Sequence, residues 1–259
     1  MNKFALLADV GNTTMKLGIA NEHGIVHSFG FPSKSLYTAD SLGFNVIQLL
    51  DLYHIEKIES VSLCSVVPEL GKIFCQACKK YLHCAPLIFP EDFSISLNNQ
   101  YANPREVGAD RLMGAYAARM LRPEAKSIIC IDYGTATTFD CITDMDYLGG
   151  LICPGLFSSH NALANGTAKL PHITLDFDRS IPLIGKSTVT SMNHGFVFGF
   201  AAMTDGLCQK LAEQLPAPLH IVATGGYAED IAKLSNKINT IQQDLILEGL
   251  RLASCSLLA

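Results

Sequence analysis

A short segment recurs in the two halves of this 259-residue chain, and it limits the possible folds more than any other feature of the sequence. The run Asp9-Val10-Gly11-Asn12-Thr13-Thr14 matches Asp132-Tyr133-Gly134-Thr135-Ala136-Thr137. Each copy lies between two apolar runs, so each predicts a β-hairpin with an Asp-x-Gly turn that carries hydroxyl groups. Two halves that open in the same way predict a duplicated fold around a central cleft.

The order of the predicted elements supports this duplication. In each half, turn-linked strands come first and helices alternate with strands afterwards, which predicts a mixed sheet with crossovers. The predicted strands are 4–10, 15–20, 25–31, 58–67 and 87–89, and then 127–132, 137–143, 147–153 and 219–223. The main predicted helices are near 68–81, 108–121, 191–214 and 243–257, and the polar stretch through Asn98, Asn99 and Pro104 is predicted to be a loop. We therefore predict an α/β protein with an N-terminal domain at 1–122 and a C-terminal domain at 123–259.

Composition excludes several classes of protein. The net charge is −5 and there is no basic run, so binding of nucleic acid or of an anionic membrane has no electrostatic support. No stretch approaches the roughly 20 apolar residues that a membrane span needs, and Asp9 ends the first apolar run too early for a signal peptide. The nine cysteines are odd in number and lie in apolar runs, which predicts a reducing compartment, the cytoplasm.

The two Asp-x-Gly turns have the chemistry of a phosphate site. Glycine lets the backbone approach phosphate oxygens, and successive backbone N–H groups in a turn form an anion-binding concavity. One such turn alone is typical of an ordinary hairpin, but the pair favours ATP binding. The residues predicted to bind ATP and its phosphates are Asp9, Val10, Gly11, Asn12, Thr13, Thr14, Lys16, Gly134 and Thr135, with further hydroxyl donors at Thr137 and Thr138.

Two charged residues of the first turn have more specific predicted roles. Asp9 is expected to hold Mg²⁺ directly or through water, because Mg²⁺ prefers few carboxylates and keeps several of its waters. Lys16 lies three residues after Thr13 and is expected to reach the β- or γ-phosphate. A third turn, Thr224-Gly225-Gly226, closes a predicted strand before a helix and is expected to approach the nucleoside. The sequence contains no P-loop motif.

Six motifs in order resemble those of the type III pantothenate kinases, and together they span nearly the whole chain. Gly108-Ala109-Asp110-Arg111, preceded by Tyr101, resembles the Gly-x-Asp-Arg signature of that family, and the two Asp-x-Gly turns resemble its phosphate loops. The remaining matches are Gly149–Gly155, Thr167–Pro171 and Gly185–Thr188. The resemblance implies a duplicated ribonuclease H-like (actin/hexokinase-like) fold, with two mixed five-stranded-type sheets flanked by helices and the active site in the cleft.

The resemblance also implies a reaction and a set of residue roles. The γ-phosphate of ATP would pass to the 4′-hydroxyl of pantothenate, the first step toward coenzyme A, with Asp110 as general base. Arg111 would bind the pantothenate carboxylate, and Tyr101, Gly108 and Ala109 would line its pocket. The family is similar in using a monovalent cation, K⁺ or NH₄⁺, with Asp132 as a ligand. Family members are homodimers with shared active sites, in which Thr188 would reach the partner's pantothenate.

Other interpretations of the same residues remain open at this stage. Asp110 and Arg111 also suit a helix start with a surface arginine. A non-catalytic regulator on the same fold, or a kinase or phosphatase for another small molecule, would share the phosphate turns. Cys75, Cys78 and Cys84, with His83 nearby, are interpreted as free thiols because a zinc site would need a second ligand pair at comparable spacing.

Overall fold

A five-stranded mixed sheet forms the centre of the first of two compact units. The computed structural model describes residues 3–255, and the first unit comprises the described residues up to 97, 102–120 and from 244 onward. Its strands are β1 (Phe4–Val10), β2 (Thr14–Asn21), β3 (Gly24–Pro32), β4 (Ile58–Ser65) and β5 (Leu87–Phe89). They lie in the order β3-β2-β1-β4-β5, antiparallel from β3 to β1 and parallel from β1 to β5.

Helices cover both faces of this sheet. They are α1 (Ala39–Leu52), α2 (Pro68–Ala77), which continues as a π-helical turn (Cys78–Leu82), α3 (Ala109–Leu121) and α7 (Leu245–Cys255); a 3-10 turn (Pro104–Glu106) precedes α3. Thr38 caps α1 in a reciprocal pair of hydrogen bonds with Ser41, and Pro68 occupies the first turn of α2. Leu6, Ala8 and Val10 pack on the face of α1 and α2, whereas Leu7 packs on the face of α3 and α7.

This alternation decides where Asp9 projects. Side chains point to opposite faces along a strand, so Asp9 shares the face of Leu7, which α3 and α7 cover. Val10 is buried on the opposite face. On the face of the sheet that carries Asp9, Val10 can therefore contact a ligand only through its backbone.

A six-stranded mixed sheet forms the centre of the second unit, which comprises 98–101 and 121–243. Its strands are β6 (Asn98–Asn99), β7 (Ser127–Tyr133), β8 (Ala136–Thr143), β9 (Asp146–Pro154), β10 (Leu219–Gly225) and β11 (Thr240–Ile241). Their order is β11-β10-β7-β8-β9-β6. The helices are α4 (Leu156–Asn165), α5 (Thr188–Ala212) and α6 (Ala228–Ala232).

The two sheets share one topology. β7, β8 and β9 are antiparallel neighbours like β1, β2 and β3, and β10 and β11 continue in parallel like β4 and β5. The predicted duplication is therefore confirmed, and β1 corresponds to β7. Asp9 and Asp132 occupy equivalent positions near the ends of these two strands.

The polar stretch at Asn98 and Asn99 was predicted to be a loop, and this prediction is wrong. These residues pair in parallel with Asp146 and Tyr147, and so add a sixth strand to a sheet expected to have five. The backbone N–H groups of Asn98 and Gln100 donate to carbonyls of β9 at 2.8 and 2.9 Å. Two residues with low strand propensity give no periodic signal, so the available edge of β9 decides the pairing.

The compact units differ from the predicted division at 122/123 in three places, the first of which is the boundary itself, at 120/121. Residues 98–101 group with the second unit because they pair with β9. Residues 244–255 group with the first unit, where Leu247 and Leu250 of α7 are fully buried against the first sheet. Among residues 3–255, no helix combines the length and apolar character that crossing a membrane would require.

Candidate active site

Ser33 holds the first Asp-x-Gly turn in place. Its Oγ donates to the carbonyl of Gly11 at 2.7 Å, and its N–H donates to the carbonyl of Thr13 at 2.9 Å. Within the turn, the Gly11 N–H donates to the Thr14 carbonyl at 3.1 Å. The side of the turn that carries Asn12 is exposed to solvent. The turn is thus fixed from behind and presents its polar groups outward, as an anion site requires.

Asp9 and Lys16 are direct neighbours across the first hairpin. They are paired in the register of β1 and β2, which brings their Cβ atoms within about 5 Å on one face of the sheet. The Lys16 Nζ also lies 3.2 Å from Oδ1 of Asp244, the residue before α7. The side chains of Asp9 and Lys16 thus lie side by side next to the turn, and a second carboxylate, that of Asp244, lies beside the Lys16 ammonium group.

Asp110 lies in the first turn of α3, and its carboxylate is closely confined. Oδ1 accepts the backbone N–H of Arg111 at 2.8 Å. A Cβ atom at position 108 would overlap this same oxygen, so Gly108 leaves the space that the carboxylate occupies. The glycine and the Arg111 N–H together define where this oxygen lies.

Cys64 is a buried thiol beside the first phosphate turn, and nearby carboxylates affect its pKa. Its thiol, in register beside Asp9 on β4, is fully buried. Burial raises the pKa of Cys64 well above its usual value, and the negative charges of Asp9, Asp110 and Glu91 raise it further. The charges of two carboxylates predicted from separate motifs therefore act on the same buried thiol of the first unit.

The second Asp-x-Gly turn is held by residues of the α4 start. The Gly134 N–H donates to the Ala136 carbonyl at 3.0 Å, and the Ser158 Oγ donates to the Thr135 carbonyl at 2.8 Å. A Cβ atom at position 155 would overlap the Thr135 carbonyl, so Gly155 permits this close approach. Ser33 and Ser158 thus each donate a hydroxyl hydrogen bond to a carbonyl of the Asp-x-Gly turn in their own half.

Asp132 lies against the turn that follows β10. A Cβ atom at Gly225 would overlap Oδ1 of Asp132 and come within 2.7 Å of the Tyr133 backbone. Gly225 has a φ of +93°, which favours glycine. The register places Thr138 and Thr224 beside Asp132 on either side. The sequence motif Thr224-Gly225-Gly226 is therefore next to a predicted cation ligand.

The hydroxyl group of Thr137 does not fulfil its predicted role as a phosphate donor. It is buried without a hydrogen-bond partner among the described residues, because alternation directs it to the face opposite Asp132. Thr138 lies on the Asp132 face, and its Oγ1 donates to Oδ2 of Asp140 at 3.3 Å.

Tyr101 lies two residues after β6, which is an edge strand of the second sheet. Its ring centroid is 6.5 Å from that of Tyr147, and its ring would be 3.2 Å from a Cβ atom at Gly149. Tyr147 donates to the buried carboxylate of Asp140 at 2.7 Å. Tyr101, which the sequence predicted to line the substrate pocket, thus lies beside Tyr147 and beside Gly149, which has a φ of +109°.

Thr188 begins α5, where Ser187 caps the helix by accepting the N–H of Thr190. It is exposed and lines a groove of about 510 Å³ in the second unit. The groove is otherwise lined mainly by apolar side chains, among them Leu163, Leu170, Met192 and Phe196. Thr188 is therefore a polar group at the rim of an apolar surface.

The residues present fit the predicted cations. Within residues 3–255, no group of three or more His, Cys, Asp or Glu side chains forms a metal cage. Mg²⁺ in phosphoryl-transfer sites needs only one or two carboxylates, because phosphate and water supply its other ligands. Asp9 beside the first turn fits this donor set. Asp132 beside the Gly225 backbone offers the hard oxygens that a monovalent cation binds.

The structure thus groups the predicted residues by unit. The first unit holds Asp9, Val10, Gly11, Asn12, Thr13, Thr14, Lys16, Gly108, Ala109, Asp110 and Arg111, and the second holds Tyr101, Asp132, Gly134, Thr135 and Thr188. Sequence reasoning missed Ser33, Ser158 and Asp244. Ser158 follows the recognised Pro154-Gly155 motif, but Ser33 and Asp244 carry no motif and are identified only by their contacts.

Comparisons with known proteins point to one family. A protein-family model described as type III pantothenate kinase matches residues 5–210. A type III pantothenate kinase of Oleidesulfovibrio alaskensis is 50% identical over 252 residues, which cover 95% of this chain and 95% of the relative. One from Nitratidesulfovibrio vulgaris is 48% identical over 255 residues, covering 97% of each chain.

Solved structures show the same fold at low identity. A putative 2-dehydro-3-deoxygalactonokinase of Sinorhizobium meliloti superposes with a TM-score of 0.58 at 14% identity, covering 98% of this chain and 99% of that one. A ROK family glucokinase of Streptomyces griseus, in complex with glucose and AMPPNP, gives a TM-score of 0.52 at 13% identity, covering 97% and 99%. These likenesses confirm the predicted actin/hexokinase-like fold.

Proposed function

The chain belongs to the type III pantothenate kinase family, and from this membership we propose how its own residues carry out the reaction. It is a kinase that transfers the γ-phosphate of ATP to the 4′-hydroxyl of pantothenate, giving 4′-phosphopantothenate in the first step of coenzyme A biosynthesis. Such a reaction depends on positioning and on neutralising charge more than on covalent chemistry.

Asp110 is the general base that accepts the proton of the 4′-hydroxyl group. Support comes from its place in the first turn of α3 and from the space that Gly108 leaves for its carboxylate. Its hydrogen bond from the Arg111 N–H engages Oδ1 and orients the group. The observation that carries the proposal is the space that Gly108 leaves for the Asp110 carboxylate at the start of α3, because a general base needs a fixed position beside the hydroxyl group that it deprotonates.

The two Asp-x-Gly turns bind the phosphates of ATP. Gly11 and Gly134 begin turns whose carbonyls are engaged by serine hydroxyls, so the anion binds on the solvent-exposed side of each turn, at Asn12 and Thr135. Lys16 adds a positive charge, and Asn12, Thr13, Thr14 and Thr135 add polar side chains. Asp9 holds Mg²⁺ directly or through water, and this ion neutralises charge on the phosphate oxygens when bound.

Pantothenate binds through residues of two motifs. Arg111 pairs with its carboxylate, for which a planar guanidinium is suited. Gly108, Ala109 and Tyr101 line the pocket. The position of Tyr101 beside Gly149 and Tyr147 supports a role as a pocket wall.

Asp132 is a ligand for a monovalent cation, K⁺ or NH₄⁺. The tight fit of Oδ1 at the Gly225 position supports this assignment, because a residue with a Cβ atom at 225 would displace the carboxylate. The cation supplies positive charge near the second phosphate turn when bound. Asp132, Thr138 and Thr224 hold the position of that charge on one face of the sheet.

The active enzyme is a cytoplasmic homodimer in which Thr188 contacts the partner's pantothenate. The apolar groove beside Thr188 supports the dimer, since an apolar surface next to a functional residue favours burial by a partner. The free thiols of the described cysteines support a reducing compartment.

The test is ADP release by the purified protein with ATP, Mg²⁺ and pantothenate. We expect pantothenate-dependent turnover with K⁺ or NH₄⁺ and little with Na⁺. Asp110→Asn should lower kcat by about 10²–10⁴-fold, the usual contribution of a positioned base. Glu69→Gln, which removes an acid from the first turn of α2, is the matched control and should retain activity.

Two results would contradict the proposed roles. Full activity of Asp110→Asn would exclude that residue as the base, and equal turnover in Na⁺ would exclude the cation site.

For the dimer, coexpressed Asp110→Asn and Thr188→Arg chains should regain activity that neither variant has alone. Failure of this complementation in an isolated mixed dimer would overturn the shared site.

A further inference from the structure

One ion pair of the first unit joins residues that are 228 positions apart. Lys16 lies on β2, just after the first phosphate turn, and Asp244 immediately precedes α7. The Nζ and Oδ1 atoms are 3.2 Å apart, and both side chains are largely shielded, with exposures of 34% and 25%. Asp244 lies beyond residue 210, where the match to the family model ends.

Lys16 has a second acidic neighbour. Asp9 is its direct partner across the hairpin, and the two side chains share one face of the sheet. An ammonium group held by Asp9 alone would compete with Mg²⁺ for the oxygens of that carboxylate. Asp244 offers the ammonium another carboxylate, on the side where α7 begins.

The backbone of Asp244 is firmly placed. Its carbonyl accepts the N–H of Glu248 at 2.8 Å, the first hydrogen bond of α7. Leu247 and Leu250 of this helix are fully buried in the core of the first unit. On the sheet side, Gly18 leaves room for Leu247, whose Cδ1 lies 3.0 Å from a Cβ position at 18. The carboxylate is therefore mounted on a packed element rather than on a free loop.

We propose that Asp244 is a positioning residue for phosphoryl transfer, which holds the Lys16 ammonium beside the first turn ready for the phosphates of ATP. A free lysine side chain has many rotamers and loses this freedom when it binds an anion. Asp244 orders Lys16 before ATP arrives, and so lowers the entropic cost of binding. The inference rests on the proposed function, because it assigns Lys16 to the phosphates.

Asp244 has a simpler alternative role as the cap of α7. Asn caps a helix about as well as Asp does, so Asp244→Asn keeps the cap and removes only the charge. A second alternative is a plain charge effect. Removing a negative charge near the phosphates would relieve repulsion of ATP and lower its KM, whether or not Lys16 is present.

The experiment is a double-mutant cycle of Asp244→Asn and Lys16→Met, with KM for ATP and for pantothenate measured in all four full-length proteins. We expect Asp244→Asn to raise KM for ATP about fivefold, as for a partly exposed ion pair, and to leave KM for pantothenate unchanged. In the Lys16→Met background the same change should have no effect. Glu248→Gln breaks the pair with Arg251 one turn further along α7, and should change melting temperature but not KM for ATP.

The opposite results would overturn the inference. They are a KM for ATP that falls or stays constant in Asp244→Asn, or an equal rise in both backgrounds. If the wild-type protein shows no pantothenate-dependent ADP release, the proposed function fails by itself. In that case the Kd for ATP of the same four proteins is measured by calorimetry. Non-additive effects of Asp244→Asn and Lys16→Met on this Kd support the positioning role, and additive effects reject it.

Discussion

The carboxylate of Asp110 occupies the space beside Gly108 that any other residue's Cβ atom would fill. The overlap involves only Oδ1, since the next nearest atom, Cγ of Asp110, is 3.6 Å away. The glycine of the signature motif is thus explained by the position of the acid two residues later. It is a steric requirement of the proposed base, not of the chain fold.

Replacing Gly108 with alanine should therefore affect activity more than stability. The flexible carboxylate can rotate away from the new methyl group, so the melting temperature should change little. The displaced base should lower kcat/KM by about 10–100-fold, because misplacement by about 1 Å is costly in catalysis. Steady-state kinetics and thermal unfolding of Gly108→Ala measure both effects. Unchanged kcat/KM would mean that the carboxylate position beside Gly108 is not the active one.

Gly225→Ala should destabilise the second unit and weaken its response to K⁺. The new Cβ would meet Oδ1 of Asp132 and the rigid Tyr133 backbone, at a φ of +93° that alanine rarely adopts. We expect the free energy of unfolding to fall by about 2–4 kcal/mol. Gly226→Ala is the matched control for stability, as nothing lies within 4 Å of its Cβ position.

The cation response gives a second readout for this variant. Wild-type protein should gain thermal stability as K⁺ replaces Na⁺, because a bound ion stabilises the folded state. Gly225→Ala should lose this gain, since the carboxylate of Asp132 must move. An equal K⁺-dependent shift in wild type and variant would argue against Asp132 as the ligand.

Gly249→Ala tests the packing of α7 on α3. A Cβ at 249 would come within 2.6 Å of the Met113 carbonyl oxygen and 2.9 Å of its sulfur. We expect a loss of about 1–3 kcal/mol in urea unfolding, despite the better helix propensity of alanine. Gly206→Ala, on the exposed side of α5 with open space around it, should instead add about 0.5–1 kcal/mol. A stable Gly249→Ala protein would show that the two helices can separate at little cost.

The cysteines should divide into two classes of reactivity. Burial raises the pKa of the Cys64 and Cys130 thiols well above the usual value, and that of Cys208 to about 12. Because the thiolate is the reactive form, these three should resist iodoacetamide at pH 8 until the protein unfolds. Cys84 and Cys153 are half-exposed and should react in the native state. Mass spectrometry of labelled peptides distinguishes the classes, and early labelling of Cys208 would contradict the assignment.

The sequence predicted long elements well and short ones poorly. β1 has the predicted bounds, and β2 and β3 differ from them by one residue at each end, because apolar runs between turn residues carry a clear signal. The two-residue strands at 98–99 and 240–241 have no periodicity, and they form because β9 and β10 offer open edges.

The predicted site residues also divide into those that local sequence indicates and those that depend on strand pairing. Asp9, Asp110 and Asp132 stay predicted site residues that local motifs indicate, since turns and helix starts depend on local glycines and acids. Thr137 was misassigned because neighbouring strand residues face opposite sides, and one residue of register decides which hydroxyl faces Asp132. Ser33 could not be found from its sequence neighbours, as its role depends on the pairing of β2 with β3.

The sequence by itself determined the duplicated hairpins, the order of the elements and the chemistry of the two turns, because these depend on local spacing and residue type. Only the tertiary structure decided that α7 joins the first sheet and that Asp244 meets Lys16. It also decided that Asp9 and Asp110 act on one buried thiol. Contacts between distant segments depend on which apolar faces pack together, and that choice is made by the whole chain.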